Sequence, residues 1–247
     1  MPSDDPKQNH LLAALHAGAY ERLLPDLVLV PMPSGWPVYE ADVPIDHVYF
    51  PTTSMVSLLY VMDNGDSAEI AVIGNDGMVG VAVFMGDSVM SSRAVVQNAG
   101  SAYRLEADLF NKEFGLGRSL QQVALRFTQA LMAQMIQTGA CNRHHTVEQQ
   151  LCRWLLLTLD RLPGNSVTMT KQLIANMLGV KRDGVVKATT KLEEDGSIRY
   201  DGEQIIVLNR KILEETACEC YSVVRKEIER LLTFEYSSER AAAPMLN

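Results

Sequence analysis

Hydrophobic residues recur along the 247-residue chain with two different periods. Near the start, Leu11, Leu12, Leu15, Tyr20, Leu23 and Leu24 repeat every three or four positions, which predicts an amphipathic helix over residues 9–24 that Pro25 ends. From Val28 to about Leu109 the texture changes to short β-branched runs at 28–30, 38–39, 47–50, 55–62, 69–73, 94–97 and 102–105. Turn residues separate them, among them Pro33-Ser34-Gly35, Asp63-Asn64-Gly65-Asp66 and Gly74-Asn75-Asp76-Gly77. Strands at this spacing predict an antiparallel sandwich or jelly roll. The helical period then returns over residues 117–142. Leu116, Leu120, Val123, Phe127, Leu131 and Met135 form one stripe there, and Leu125, Met132 and Ile136, with Thr128, a second. A helix with two apolar faces needs two partners, the β-roll on one side and a second subunit on the other.

Beyond this helix, Thr146-x-x-Gln149 is a capping box that opens a helix carrying Val147, Leu151, Trp154, Leu155 and Leu159, ended by Pro163-Gly164. The intervening Cys141-Asn142-Arg143-His144-His145 reads as a hinge. Cys141, His144 and His145 cluster closely enough to suggest a metal, but no further ligand at fitted spacing is evident nearby, so no metal site is expected. Residues 212–232 read as one amphipathic helix (Leu213, Ala217, Cys220, Val224, Ile228, Leu231). Cys218 and Cys220, two apart, would diverge on it by about 200° and be buried thiols rather than joint ligands. The last residues, 236–247, read as a disordered tail.

Residues 167–208 organise the rest. Thr170 caps a helix whose apolar face is Leu173, Ile174, Met177 and Leu178, and Gly179 ends it. A second helix begins near Lys181, turns Val185, Val186, Ala188 and Leu192 inward, and stops at Gly196. Two strands, 197–200 and 204–208, flank Asp201-Gly202, a strong hairpin signal. This order is a winged helix-turn-helix, whose second helix lies in the major groove of DNA. Lys181, Arg182, Lys187 and Lys191 against Asp183 give that helix a positive excess in a chain of net charge −8. Arg182 and Asp183 stand in its first turn, from which an Arg can bond guanine O6 and N7 and a carboxylate can accept from cytosine N4.

The run Thr170-x-x-Leu173-Ile174-Ala175-x-x-Leu178-Gly179-Val180-x-Arg182-Asp183-x-Val185 resembles the DNA-binding motif of the Crp/Fnr superfamily of bacterial transcription regulators. The resemblance implies an α+β fold: an N-terminal antiparallel β-roll, a long dimerisation helix and a C-terminal winged helix-turn-helix. It assigns base reading to Arg182, Asp183 and Lys187, with Thr170, Lys181 and Lys191 completing the DNA-binding set. Gly184 departs from the usual helix former and costs about 1 kcal/mol of helix propensity; it either allows close backbone approach to DNA or is neutral. The dimer interface is placed at Leu120, Val123, Phe127 and Leu131. Relatives that bind cyclic nucleotides hold the ribose hydroxyl with a Gly-Glu pair and the phosphate with an Arg-Ser pair. Here the matching effector-pocket positions are Gly80-Val81 and Arg93-Ala94, so the carboxylate and the hydroxyl are replaced. Tight cyclic AMP binding is not expected; a different anionic effector or an apolar one remains open. The family's oxygen-sensing branch carries an N-terminal cysteine cluster, which has no counterpart here.

Charge divides the chain in the same way. Residues 1–117 carry a balance of −10 and residues 118–211 a balance of +5, so the first part repels DNA and the second attracts it. The expected domains are a sensor roll (1–116), a dimerisation helix and hinge (117–145), a DNA-binding domain (146–235) and the tail. The polar, acidic start does not resemble a secretory signal, no apolar run approaches the roughly 20 residues that span a bilayer, and four cysteines suit a reducing cytoplasm. No nucleophile motif, phosphate loop or paired-carboxylate signature points to an enzyme. The expected function is a cytoplasmic homodimeric regulator of transcription on a pseudo-palindromic DNA site, with RNA polymerase as a further partner, no cofactor and an unknown effector. The alternative is a cyclic-nucleotide-like regulatory module acting through protein contacts.

Overall fold

The structure, a computed structural model, describes residues 5–162 and 164–232. Pro163 and the tail at 236–247 lie outside the described residues. The N-terminal segment is two short helices rather than one, α1 (His10–Ala13) and α2 (Ala17–Leu23). Asn9 is the reason for the early start: wholly buried, its Oδ1 accepts from Leu11 and Leu12 while Nδ2 donates to the carbonyls of Pro51 and Gly77. His16 is extended, and its N–H donates to Ser119 Oγ across the fold instead of continuing the helix.

Seven strands follow: β1 (Val28–Met32), β2 (Pro37–Tyr39), β3 (His47–Pro51), β4 (Met55–Val61), β5 (Ser67–Ile73), and, after the short helix α3 (Ala82–Met85), β6 (Arg93–Asn98) and β7 (Gly100–Glu106). They pair antiparallel into two sheets, β1-β7-β3 and β2-β6-β4-β5, closed over one core that includes Phe50, Leu58, Ile73, Val96 and Leu105. Helix α4 (Ala107–Phe114), which the hydrophobic pattern did not announce, lies at the end of β7; its Phe110 and Phe114 ring-pack against Phe84. The long helix α5 (Ser119–His144) crosses the roll, and the loop at Gly77 passes so close beneath it that a Cβ there would meet the Phe127 ring at 2.5 Å.

The second core gathers around α6 (Val147–Leu159), whose capping box at Thr146 and Gln149 is formed. It is covered by β8 (Ser166–Thr168), α7 (Lys171–Leu178), α8 (Arg182–Glu194), β9 (Ile198–Asp201), β10 (Gln204–Val207), α9 (Arg210–Thr216) and α10 (Glu219–Leu232). The wing sheet has the order β8-β10-β9, so a third strand joins the expected hairpin. The single helix expected over 212–232 is broken, because Ala217 turns to extended backbone and α10 begins only at Glu219. Cys218 therefore stands outside the helix that holds Cys220. Among the described residues no helix is long and apolar enough to cross a membrane.

The two cores meet on the outer face of the four-stranded sheet. The β4–β5 register skips Ile70, a bulge that turns Glu69 outward opposite Leu59 while Ala71 stays inside opposite Leu58. Glu69 accepts from Ser57 Oγ at 2.6 Å and from the Trp154 indole at 3.0 Å, and Leu59 joins the second core. Nearby, buried Arg161 pairs with Asp76 at 2.8 Å and donates to Gln134 of α5.

Burial pushes the Glu69 carboxyl up to about 7 from an ordinary 4.5, against the opposing pull of its bonds from Ser57 and Trp154 and of the Arg153 and Arg161 guanidiniums. The folded chain thus holds a proton that the unfolded chain releases. This contribution is fully present below about pH 4.5 and is lost as pH rises through about 7. Glu69→Gln removes the titration. Melting curves taken from about pH 5 to about pH 8 should show the wild-type chain losing about 1–3 kcal/mol relative to the variant. Parallel pH profiles for the two proteins would refute the assignment.

Candidate DNA interface and effector cavity

Thr170 Oγ1 accepts from Leu173 N–H as the cap of α7, and Gly179 takes the left-handed conformation (φ 64°) that turns the chain toward α8. Helix α7 rests on β5: a Cβ at Gly179 would lie 3.5 Å from Ala68 Cβ. Val185, Ala188, Thr189 and Leu192 fasten α8 to the second core, which leaves Lys181, Arg182, Asp183, Lys187, Thr190 and Lys191 exposed on the opposite side. Among the described residues, no carboxylate lies within ion-pair distance of Lys181, Arg182 or Lys187. Lys191 differs, being paired with Glu148 of α6 at 2.8 Å. Helix α8 runs on to Glu194, so Glu193 and Glu194 cancel its positive excess over the full length. The positive charge is concentrated in the first two turns, where a helix enters a groove. Gly184 faces inward, its missing Cβ pointing at Val147 of α6 at 3.4 Å, and does not serve approach to DNA. Arg199 on the wing strand β9 is a further exposed cation that the helix-centred reading passed over.

The dimer stripe requires correction. Leu120, Phe127 and Leu131 are buried in the roll core and Val123 packs against it, because α5 lays this face on the protomer's own sheets. The other stripe is the open one: Leu125, Met132 and Ile136 are 50%, 53% and 69% exposed. With exposed Gln122, Gln129 and Gly139 they follow alternating three- and four-residue steps, the spacing that a coiled-coil seam uses.

The four expected effector residues differ in their surroundings. Gly80 has φ 108° and packs against the His47 carbonyl, Ala94 is wholly buried, and Arg93 pairs with Glu40 at 3.0 Å. Val81 lines a cavity of about 430 Å³ between the segment around α3 and α5. Its walls are Leu58, Met85, Met90, Leu131, Met132 and Met135, with Thr128 and Asp87 as polar neighbours and no cation. A larger cleft of about 590 Å³ lies beside α10, but its arginines are engaged by Asp76, Asp160 and Glu229.

At the hinge, His144 is exposed and apart, whereas Cys141 and His145 meet Cys218 and Cys220, brought from more than 70 positions away. The spacing of the hinge residues gave no sign of these two additional side chains.

A cyclic nucleotide-binding domain model matches residues 29–114, and a Crp-like helix-turn-helix domain model matches residues 149–216, together more than half of the chain. No curated protein matches the sequence. Solved structures share the fold. A protein of Eubacterium rectale assigned to the crp/fnr family of transcriptional regulators superposes with a TM-score of 0.67 at 12% identity, covering 85% of this chain and 98% of that one. The c-di-GMP responsive global regulator CLP of Xanthomonas campestris gives 0.62 at 16% identity over 78% and 99%. FixK2 of Bradyrhizobium japonicum gives 0.62 at 16% identity over 78% and 98%. In domain content and in fold alike, the chain belongs to the Crp/Fnr family of transcriptional regulators.

Proposed function

We propose that this regulator acts in the cytoplasm as a homodimer that reads a pseudo-palindromic DNA site and is controlled through the cavity beneath α5. The observation that carries the reading is the first two turns of α8, where Arg182, Asp183 and Lys187 are exposed. Arg182 and Asp183 read base edges, with Lys187 one turn on reaching a base or a phosphate; Lys181 and Arg199 hold phosphates, with the Thr170 hydroxyl available to the backbone of the site. Lys191 must first leave Glu148 to take part.

The open seam of α5 supports pairing about a two-fold axis. At 26 residues the helix is about 39 Å long, and Leu125, Met132 and Ile136 on it are left exposed among the described residues. A two-fold axis sets two recognition helices about 34 Å apart, one turn of DNA. Met132 links this seam to the sensor: it lines the cavity and stands in the stripe. A ligand that displaces it alters the seam and with it the distance between the two α8 helices. The cavity walls favour an apolar or neutral ligand over a cyclic nucleotide, because Arg93 is held outside by Glu40 and no carboxylate replaces Val81 at the ribose position. RNA polymerase is the protein partner this reading implies.

Three measurements test the reading. With sites selected from a random DNA pool, Arg182→Ala should weaken binding to the selected sequence by about 1–3 kcal/mol and leave scrambled DNA nearly unaffected; an equal change on both would remove the base-reading role. The double variant Met132→Glu/Ile136→Glu should sediment as a monomer, and a persisting dimer would place the interface elsewhere. Titration calorimetry with cyclic AMP and cyclic GMP should register no binding heat, whereas micromolar affinity for either would show that the cavity accepts the anion.

A further inference from the structure

Three buried thiols form a small cluster of their own, apart from both domain cores: Cys141, Cys218 and Cys220. His145 turns its ring into the same cluster. Cys141 Sγ lies 3.5 Å from Cys218 Sγ, Cys220 Sγ lies 3.4 Å from His145 Nδ1, and all four ligand atoms fall within 4.8 Å of one another. A tetrahedral ion with bonds of about 2.3 Å to sulfur and about 2.0 Å to nitrogen sets its ligand atoms about 3.5–3.8 Å apart. We propose that Cys141, His145, Cys218 and Cys220 form a Cys₃His site for a single zinc-type divalent cation.

The chain builds this site from two pairs. Cys141 and His145 lie one turn apart at the end of α5 and share a face. Cys218 precedes α10 and Cys220 lies in its first turn, so the break at Ala217 lets both sulfurs point the same way. The surroundings match those of a ligand set. Glu219 Oε2 stands 3.4 Å from His145 Nε2, the far ring nitrogen, an arrangement that leaves Nδ1 free to coordinate and fixes the ring. Gln137 Nε2 donates to Cys220 Sγ at 3.0 Å, as an amide does to a thiolate. Three thiolates and one divalent cation leave one negative charge, and the buried Arg153, bonded to Thr138 three residues before Cys141, sets a positive charge beside it. The compactness of the set favours one ion, since a two-iron cluster holds its ligand pairs on different metals and needs them farther apart. An ion here ties the end of α5 and the hinge to the start of α10, joining the helix that spans the roll to the DNA-binding half.

Metal analysis of the full chain, purified without chelators, should give about one zinc per chain. Exchange with cobalt(II) should give the intense visible bands of a tetrahedral ion and a near-ultraviolet thiolate-to-cobalt band. Cys220→Ser should lower the zinc affinity at least ~10-fold, Glu219→Gln should weaken it about 10–100-fold through the histidine, and Cys152→Ser, a buried thiol outside the set, should leave it unchanged. The wild-type cobalt spectrum decides the matter even if the cysteine variants fail to fold. A metal-free chain with weak octahedral cobalt bands, a Cys141–Cys218 disulfide found by alkylation and mass spectrometry, or an iron–sulfur chromophore would each overturn the proposal.

Discussion

The hydrogen bond from the Trp154 indole to Glu69 is where the two halves of the chain are committed to each other. A carboxylate placed on an open sheet face would remain solvated, and a tryptophan on a lone helix would leave a large apolar surface wet. Docked together, each satisfies the other: the ring covers the sheet, the N–H finds an acceptor, and Ser57 donates to the second carboxylate oxygen. Arg161, just past the end of α6, repeats the pattern beside it, reaching Asp76 of the roll, Gln134 of α5 and the Leu157 carbonyl of α6. These bonds are directional, so they specify an orientation that hydrophobic burial alone would leave loose.

That orientation decides how α5 and α8 are presented. Because one face of α5 is pressed on the roll, its exposed large apolar residues among the described residues are Leu125, Met132 and Ile136. Because α7 leans on β5 and α8 rides on α7 and α6, the cationic end of α8 is turned outward. The cavity sits against α5, bounded by Met132 and Met135, the first of which also stands on its open face. The cavity, the open stripe of α5 and the cationic end of α8 are thus linked through a few packed elements, as the proposed coupling between them requires.

Local chemistry made much of this legible in advance. The Thr170 cap, the left-handed Gly179, the capping box at Thr146 and the strand runs of the roll depend on residues within a few positions of one another, and such short-range rules transfer from sequence to structure. The helix break at His16 escaped notice because its cause, Ser119, is about a hundred positions away. The outward turn of Glu69 escaped for a similar reason: a bulge at Ile70 reverses which residues face in, and nothing in the alternation of the strand marks it.

The sequence by itself determined the succession of roll, long helix and winged helix-turn-helix, the separation of an acidic roll from a cationic recognition helix, and the identity of the residues that end that helix. Periodicity also showed that α5 has two apolar faces, since that follows from spacing alone. Which face is buried, which cation is neutralised by Glu148, which way Arg93 is drawn, and that Cys218 and Cys220 converge on Cys141 and His145 were decided only by tertiary structure. The physical reason is the same in each case. Spacing along a chain sets what a side chain can face on its own element, whereas burial, ion pairing and ligation depend on groups that folding brings from elsewhere.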